Sequence, residues 1–131
     1  MEQLEKHPDL SSADSLAVAQ AACRILSQKL SLDVKLISMK ESALTDYYVI
    51  GYGRSSTHVK ALANDVADEL AASGVYARRI EGLDGGEWVL VDLGDVIVHV
   101  FGREASEFYR FERLFKPDAF LPLPEENDIH E

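Results

Sequence analysis

The chain has 131 residues, of which 47% are hydrophobic, and a formal net charge of −10 at pH 7. This length fits one domain with a substantial core, and the composition excludes fibrous, collagenous and wholly disordered chains. No apolar run reaches the ~18 residues of a transmembrane helix, and 23 acidic against 13 basic residues disfavour binding to DNA or bare phosphate backbone, so a basic protein is the favoured partner.

The N-terminal residues 1–13 mix charges with Pro8 and show no hydrophobic period, which predicts a flexible segment. They lack the pattern of a secretory signal or a transit peptide, so we expect a cytoplasmic protein with no membrane partner. From Asp14 to Lys29, apolar residues recur on one face and predict a helix that packs on a sheet. Cys23, the only cysteine, lies on that face and is expected to be a buried, inert thiol.

The next segments alternate between strand and helix patterns. Residues 34–39 and 46–52 are rich in β-branched and aromatic side chains and predict two strands. A turn with two glycines leads to an amphipathic helix that begins at Ser55 or Ser56. Residues 76–80 predict a third strand, joined to the second by a parallel, right-handed crossover through this helix.

Residues 87–101 form the most informative stretch of the chain. Two β-rich runs flank Gly94-Asp95, which suits a two-residue turn and predicts a hairpin. Pairing across this turn gives one face that is typical of a core, with Val89, Val91, Leu93, Val96, Val98 and Val100. The opposite face mixes apolar and polar side chains, with Trp88, Leu90, Asp92, Ile97, His99 and Phe101.

The C-terminal part completes the predicted organisation. Residues 104–115 have helical spacing and are followed by Pro117, which ends the helix. Residues 118–131 hold five acidic and no basic side chains and predict a loose acidic tail. The fold class is α/β (α+β), a single domain over residues 14–117 with a mixed sheet of about five strands and two to three helices.

A glycine turn raises the alternative of an enzyme. Residues 51–56, Gly-Tyr-Gly-Arg-Ser-Ser, end a strand and open a helix, so their amides and Arg54 could bind phosphate in a nucleotide-binding protein or nucleotidyltransferase. The turn is not a Walker loop, and the following strand lacks the paired acids that bind metal in nucleotidyltransferases. A divalent-metal site or an acid/base pair could also be formed by Asp92, Asp95 and His99. The preference of Gly and Asp for turns already explains Gly94-Asp95, however. The simpler interpretation is a capped turn, with no catalytic, metal or cofactor site.

Trp88, the only tryptophan, points instead to a protein-binding surface. An aromatic anchor with an acidic rim is typical of a hot spot that selects a basic partner. Two alternatives stay open: the last helix covers this face, or the face is the self-interface of an obligate dimer. The further candidates for the same surface are Glu87, Leu90, Asp92, His99, Phe101 and Tyr109.

Five motifs in unbroken order resemble one known family. They are Thr45-Asp-Tyr-Tyr-Val-Ile, Gly53-Arg-Ser-Ser-Thr-His-Val-Lys-Ala-Leu-Ala, Glu81-Gly, the hairpin stretch from Glu87 to Phe101, and Glu107-Phe-Tyr-Arg-Phe-Glu-Arg-Leu-Phe. Together they resemble the ribosomal silencing factor family, also called RsfS or Iojap, over residues 15 to 115. One departure is Phe115, where many relatives have tryptophan.

The resemblance implies a fold related to nucleotidyltransferases without their activity. It implies a non-enzymatic repressor of translation that binds the large ribosomal subunit through ribosomal protein L14 and sterically blocks association with the small subunit. It also implies that the chain can form a homodimer, and it assigns Trp88 as a partner contact.

Overall fold

The computed structural model describes residues 7–39, 41–102 and 111–124. In chain order, their elements are α1 (Ser15–Gln28), β1 (Leu32–Ser38), β2 (Tyr47–Tyr52), α2 (Ser56–Ala72), β3 (Arg79–Glu81), β4 (Trp88–Asp92), β5 (Val96–Phe101), a 3-10 turn (Pro117–Ala119) and β6 (Phe120–Leu121). The sheet has the order β3-β4-β5-β2-β1-β6. Only β2 and β5 pair in parallel, and the other neighbours are antiparallel. The predicted α+β class with a mixed sheet is confirmed.

Both helices begin where the sequence predicts, because each has a side-chain cap. The Asp14 carboxylate accepts the N–H of Ala17, and the Ser55 hydroxyl accepts the N–H of His58. The helices pack on the valine face of the β4–β5 hairpin and form the main core. Cys23 lies in this core, where burial raises the pKa of its thiol to about 12 and keeps it protonated.

The third strand differs from its prediction in its bounds. It covers Arg79–Glu81 rather than residues 76–80, and it pairs antiparallel with β4 at the sheet edge. β5 takes the place beside β2 because its residues are largely buried on both faces, which suits a central strand. Arg79 and Glu81 are exposed and suit an edge. β3 runs antiparallel to β4, β4 antiparallel to β5, and β5 parallel to β2, so β3 is parallel to β2, as predicted for their connection through α2. β4 and β5 lie between the two strands in the sheet.

The second face of the sheet is covered by the C-terminal part of the described chain. Phe111, Phe115 and Phe120 pack against the buried Ile37 and Phe101 on this face. Most of the helix predicted over residues 104–115 lies outside the described residues, as do residues 1–6 and 125–131 of the predicted terminal segments.

Strand β6 was not predicted. Its two residues, Phe120 and Leu121, belong to the segment expected to be the acidic tail, and here they pair with Ile37 and Leu36 of β1. Phe120 contributes to the aromatic side of the sheet and Leu121 to the main core.

Helix α1 ends in a left-handed residue that is not glycine. Leu30 has φ 70°, its N–H donates to the carbonyl of Ser27, and the N–H of Ser31 donates to the carbonyl of Leu26. This is a Schellman termination, in which glycine is favoured because a Cβ atom is strained at positive φ. Leu30→Gly is therefore expected to raise the free energy of unfolding by about 0.5 to 1 kcal/mol in urea denaturation.

Leu44→Gly is the matched control for this change. Leu44 is an exposed leucine, as is Leu30, but its φ is not positive. Glycine there should leave stability unchanged or lower it. A Leu30→Gly protein no more stable than the wild type would show that the termination carries no strain.

Candidate binding surface

The hairpin register places the predicted residues on their predicted face. Trp88 lies opposite Phe101, Leu90 opposite His99, and Asp92 opposite Ile97. The Leu93 N–H donates to the carbonyl of Val96 over 2.9 Å and closes the turn at Gly94, whose φ is 95°. The predicted division of the hairpin into a valine face and a mixed face is confirmed.

The mixed face belongs to an aromatic cluster formed by Tyr48, Trp88, His99, Phe101, Phe111 and Phe115. The Trp88 ring centroid lies 5.1 Å from that of Phe101 and 5.7 Å from that of Phe111. The His99 ring lies 4.6 Å from Tyr48 and 4.8 Å from Phe111. Phe101 is 0% and His99 3% exposed, whereas Trp88 is 44% exposed. The cluster thus holds one half-exposed indole on a buried base.

A hydrogen bond joins the Trp88 ring to the buried His99 beneath it. The indole Nε1–H of Trp88 donates to Nδ1 of His99 over 3.1 Å. Since an indole nitrogen can only donate, Nδ1 is the unprotonated nitrogen and the neutral ring carries its hydrogen on Nε2. Among the described residues, Nε2 is buried and has no hydrogen-bond partner. Burial lowers the pKa of His99 to about 4, so the ring is neutral at pH 7.

The acids beside Trp88 are not equivalent. Asp92 places one oxygen 3.3 Å from Nε of Arg79, and its other oxygen accepts the N–H of Gly94. Arg79 also pairs with Glu81 over 2.9 Å. Glu87 is exposed, and no ion pair engages it within the described ranges. Of these three described acids, Glu87 therefore carries the charge that is most accessible to a partner.

The predicted site residues separate into three groups. Trp88 and Glu87 are exposed and Leu90 is half-buried, so these can contact a partner together with Asp92; we call these four residues the Trp88 surface. His99 and Phe101 lie beneath it. Tyr109 lies outside the described residues.

Sequence reasoning missed part of the base. Tyr48 reaches the cluster because β2 pairs in parallel with β5 and sets Ile50 opposite His99, a register that local periodicity does not reveal. The helical spacing of Phe111 and Phe115 was the sequence signal that aromatic side chains cover this face of the sheet.

The polar groups of the glycine turn form hydrogen bonds within the protein itself. The Gly53 N–H donates to the carbonyl of Phe101, and the Arg54 N–H donates to Nδ1 of His58. The Arg54 guanidinium donates to the carbonyl of Leu30 over 2.6 Å. A Cβ atom on Gly53 would lie 2.7 Å from a methyl group of Val59, so close packing accounts for this glycine. These contacts favour the capped-turn interpretation over a phosphate site.

The cap itself is testable. Ser55→Ala removes the acceptor for the His58 N–H and is expected to lower the free energy of unfolding by about 1 kcal/mol in urea denaturation. Ser56→Ala is the matched control at the first helical position and should change stability far less. Equal effects of the two substitutions would contradict the assignment of Ser55 as the cap.

Two further properties of the described chain bear on function. No helix in the described ranges is long and apolar enough to cross a membrane. Within the same ranges, no group of three or more histidine, cysteine, aspartate or glutamate side chains could hold a metal ion. Asp92 instead serves the turn and an ion pair, as its contacts show.

Comparisons with a family model, with protein sequences and with solved structures agree with one another. Residues 12–131 match the family described as ribosomal silencing factor during starvation. The chain is 38% identical over 102 residues to ribosomal silencing factor RsfS of Bacillus subtilis, covering 76% of this chain and 83% of that protein. It is 32% identical to mouse mitochondrial assembly of ribosomal large subunit protein 1, covering 73% of this chain and 44% of that protein. A crystal structure of a Chromobacterium violaceum protein superposes with a TM-score of 0.72 at 35% identity, over 79% of this chain and 90% of that one.

Proposed function

The chain belongs to the ribosomal silencing factor family, and from this premise we propose that it represses translation by binding ribosomal protein L14 on the large ribosomal subunit and sterically blocking association with the small subunit. The main structural support for this proposal is the half-exposed Trp88, which lies on a base of buried aromatic rings. The choice of L14 follows the resemblance stated above. The name of the mouse relative, which refers to large-subunit assembly, supports the choice of subunit.

The proposed mechanism requires occupancy and no chemistry. The indole offers apolar area at low entropy cost, because packing already restrains it before a partner arrives. The exposed Glu87 beside it favours a basic partner protein. A net charge of −10 repels exposed rRNA, so the protein contact supplies the affinity and the long-range field orients the approach. The bulk of the bound domain then excludes the small subunit, in the cytoplasm where ribosomes assemble.

Sucrose-gradient sedimentation with separated subunits tests this proposal. The protein is expected to migrate with large subunits and to reduce the amount of joined ribosomes when small subunits are added. Large subunits depleted of L14 should lose the binding, and refilling them with L14 should restore it. Protein that remains at the top of the gradient with intact large subunits would contradict the proposal.

The nucleotide-binding alternative has a separate test. It requires saturable binding of a nucleoside triphosphate with magnesium, lost on Arg54→Ala. We expect no saturable binding, because the Arg54 side chain and the amides around it are engaged within the protein. A homodimer, which the resemblance also implies, is a further proposal and would be detected by light scattering across a range of protein concentrations.

A further inference from the structure

The aromatic cluster contains one group that packing does not explain. His99 is 3% exposed among aromatic rings, and its Nε2 atom has no hydrogen-bond partner among the described residues. An apolar side chain at this position would bury no unsatisfied polar atom, so the histidine is costly as a mere core residue. Among the described residues, its ring forms one hydrogen bond, with Trp88.

That hydrogen bond determines what the exposed ring presents to solvent. The only polar atom of the indole, Nε1, is bonded inward to His99, so the exposed part of the ring is carbon. The rings packed against the imidazole, Tyr48, Phe101 and Phe111, limit where it can move. Within the described cluster, no other group accepts the indole N–H.

We infer that His99 is a positioning residue: by accepting the indole N–H, its Nδ1 atom holds Trp88 in one orientation and so prearranges the Trp88 surface for its partner. A partner that met a freely rotating indole would have to immobilise it on binding, which lowers affinity. The hydrogen bond removes that cost in advance. The inference rests on the proposed function only for the identity of the partner.

Two substitutions separate positioning from packing. In His99→Asn, the side-chain Oδ1 lies as far along the chain as Nδ1 and can still accept the indole N–H, although the smaller side chain leaves a cavity. His99→Leu fills the site with apolar atoms but offers no acceptor. A packing role predicts that the leucine variant performs better, whereas a positioning role predicts that the asparagine variant does.

The single tryptophan makes the first measurement specific. In ¹⁵N-labelled wild-type protein, the one indole N–H signal should show a scalar coupling across the hydrogen bond to Nδ1 of His99. In His99→Leu, hydrogen exchange of that N–H is expected to be about tenfold faster, and the time-resolved fluorescence anisotropy of Trp88 should decay further. His99→Asn should restore most of the protection.

Binding to isolated large subunits is the second measurement, with folding verified by circular dichroism. We expect about fivefold weaker binding for His99→Leu, and near-wild-type binding for His99→Asn despite its lower stability. Absence of the coupling, or wild-type binding by His99→Leu while Trp88→Ala fails to bind, overturns the inference and leaves the proposed function standing. Failure of the wild-type protein to bind overturns the proposed function and, with it, prearrangement for that partner.

Discussion

Replacing Trp88 with alanine is expected to weaken binding to the large ribosomal subunit by about 30-fold or more, equivalent to about 2 kcal/mol. The indole is the exposed aromatic of the Trp88 surface, and the rings of Phe101 and Phe111 beneath it keep it in place. Removing the ring deletes the apolar centre of the proposed interface and leaves the acidic rim, which contributes mainly to orientation. Titration of subunits followed by pelleting measures the change.

Tyr76→Ala is the matched control, because Tyr76 is an exposed aromatic residue outside the Trp88 surface. It should bind as the wild type does. Since Trp88→Ala also leaves Nδ1 of His99 without its donor, thermal unfolding must show that the variant is folded at the assay temperature. Undiminished binding by a folded variant would remove Trp88 from the interface. Conversion of a dimer to a monomer with unchanged subunit binding would assign this face to self-association.

The hairpin could be predicted because its information is local. Alternation of side chains on both sides of Gly94-Asp95 determines which residues share a face, and the observed register agrees with it. The two helices could be predicted equally well, since the capping residue and the apolar spacing of each lie within its own segment. A hairpin paired one residue out of register would expose the valine face.

The sheet order required information from distant parts of the chain. A parallel β2–β5 pair brings together strands separated by a helix and a further hairpin, and nothing local specifies that choice. For the same reason, the sequence did not show that β4 and β5 lie between β2 and β3. Strand β6 was missed because two residues give no period, and their acidic, proline-containing surroundings are typical of a tail.

The candidate site shows the same limit. Sequence reasoning identified Trp88 and its neighbours on the hairpin but treated His99 as a surface candidate of the same kind. Only the packing of Tyr48 and Phe111 across the sheet shows that His99 is beneath the surface and acts on Trp88 by a hydrogen bond. Burial is a tertiary property, and alternation along one strand specifies a face without specifying what covers it.

Burial of His99 also predicts how stability depends on pH. Burial penalises the imidazolium and lowers the folded-state pKa to about 4, whereas the unfolded chain has the ordinary value of about 6.5. Between these values the unfolded state binds the proton and the folded state does not, so lowering the pH favours unfolding. The contribution of His99 is essentially complete above about pH 7. We expect roughly 1 kcal/mol to be lost by pH 5.5 and roughly 3 kcal/mol by pH 4.

Urea denaturation of wild type and His99→Leu at matched pH isolates this effect. The 23 carboxylates titrate in both proteins and largely cancel in the comparison, so the difference between the two curves reports on the imidazole. The wild-type protein should lose stability relative to the leucine variant as the pH falls from 6.5 towards 4, and the difference should be constant above pH 7. Parallel curves across the whole range would mean that the folded protein accommodates the imidazolium. The aromatic cluster would then have to open around a charged His99, and Nδ1, once protonated, could no longer accept the indole N–H of Trp88.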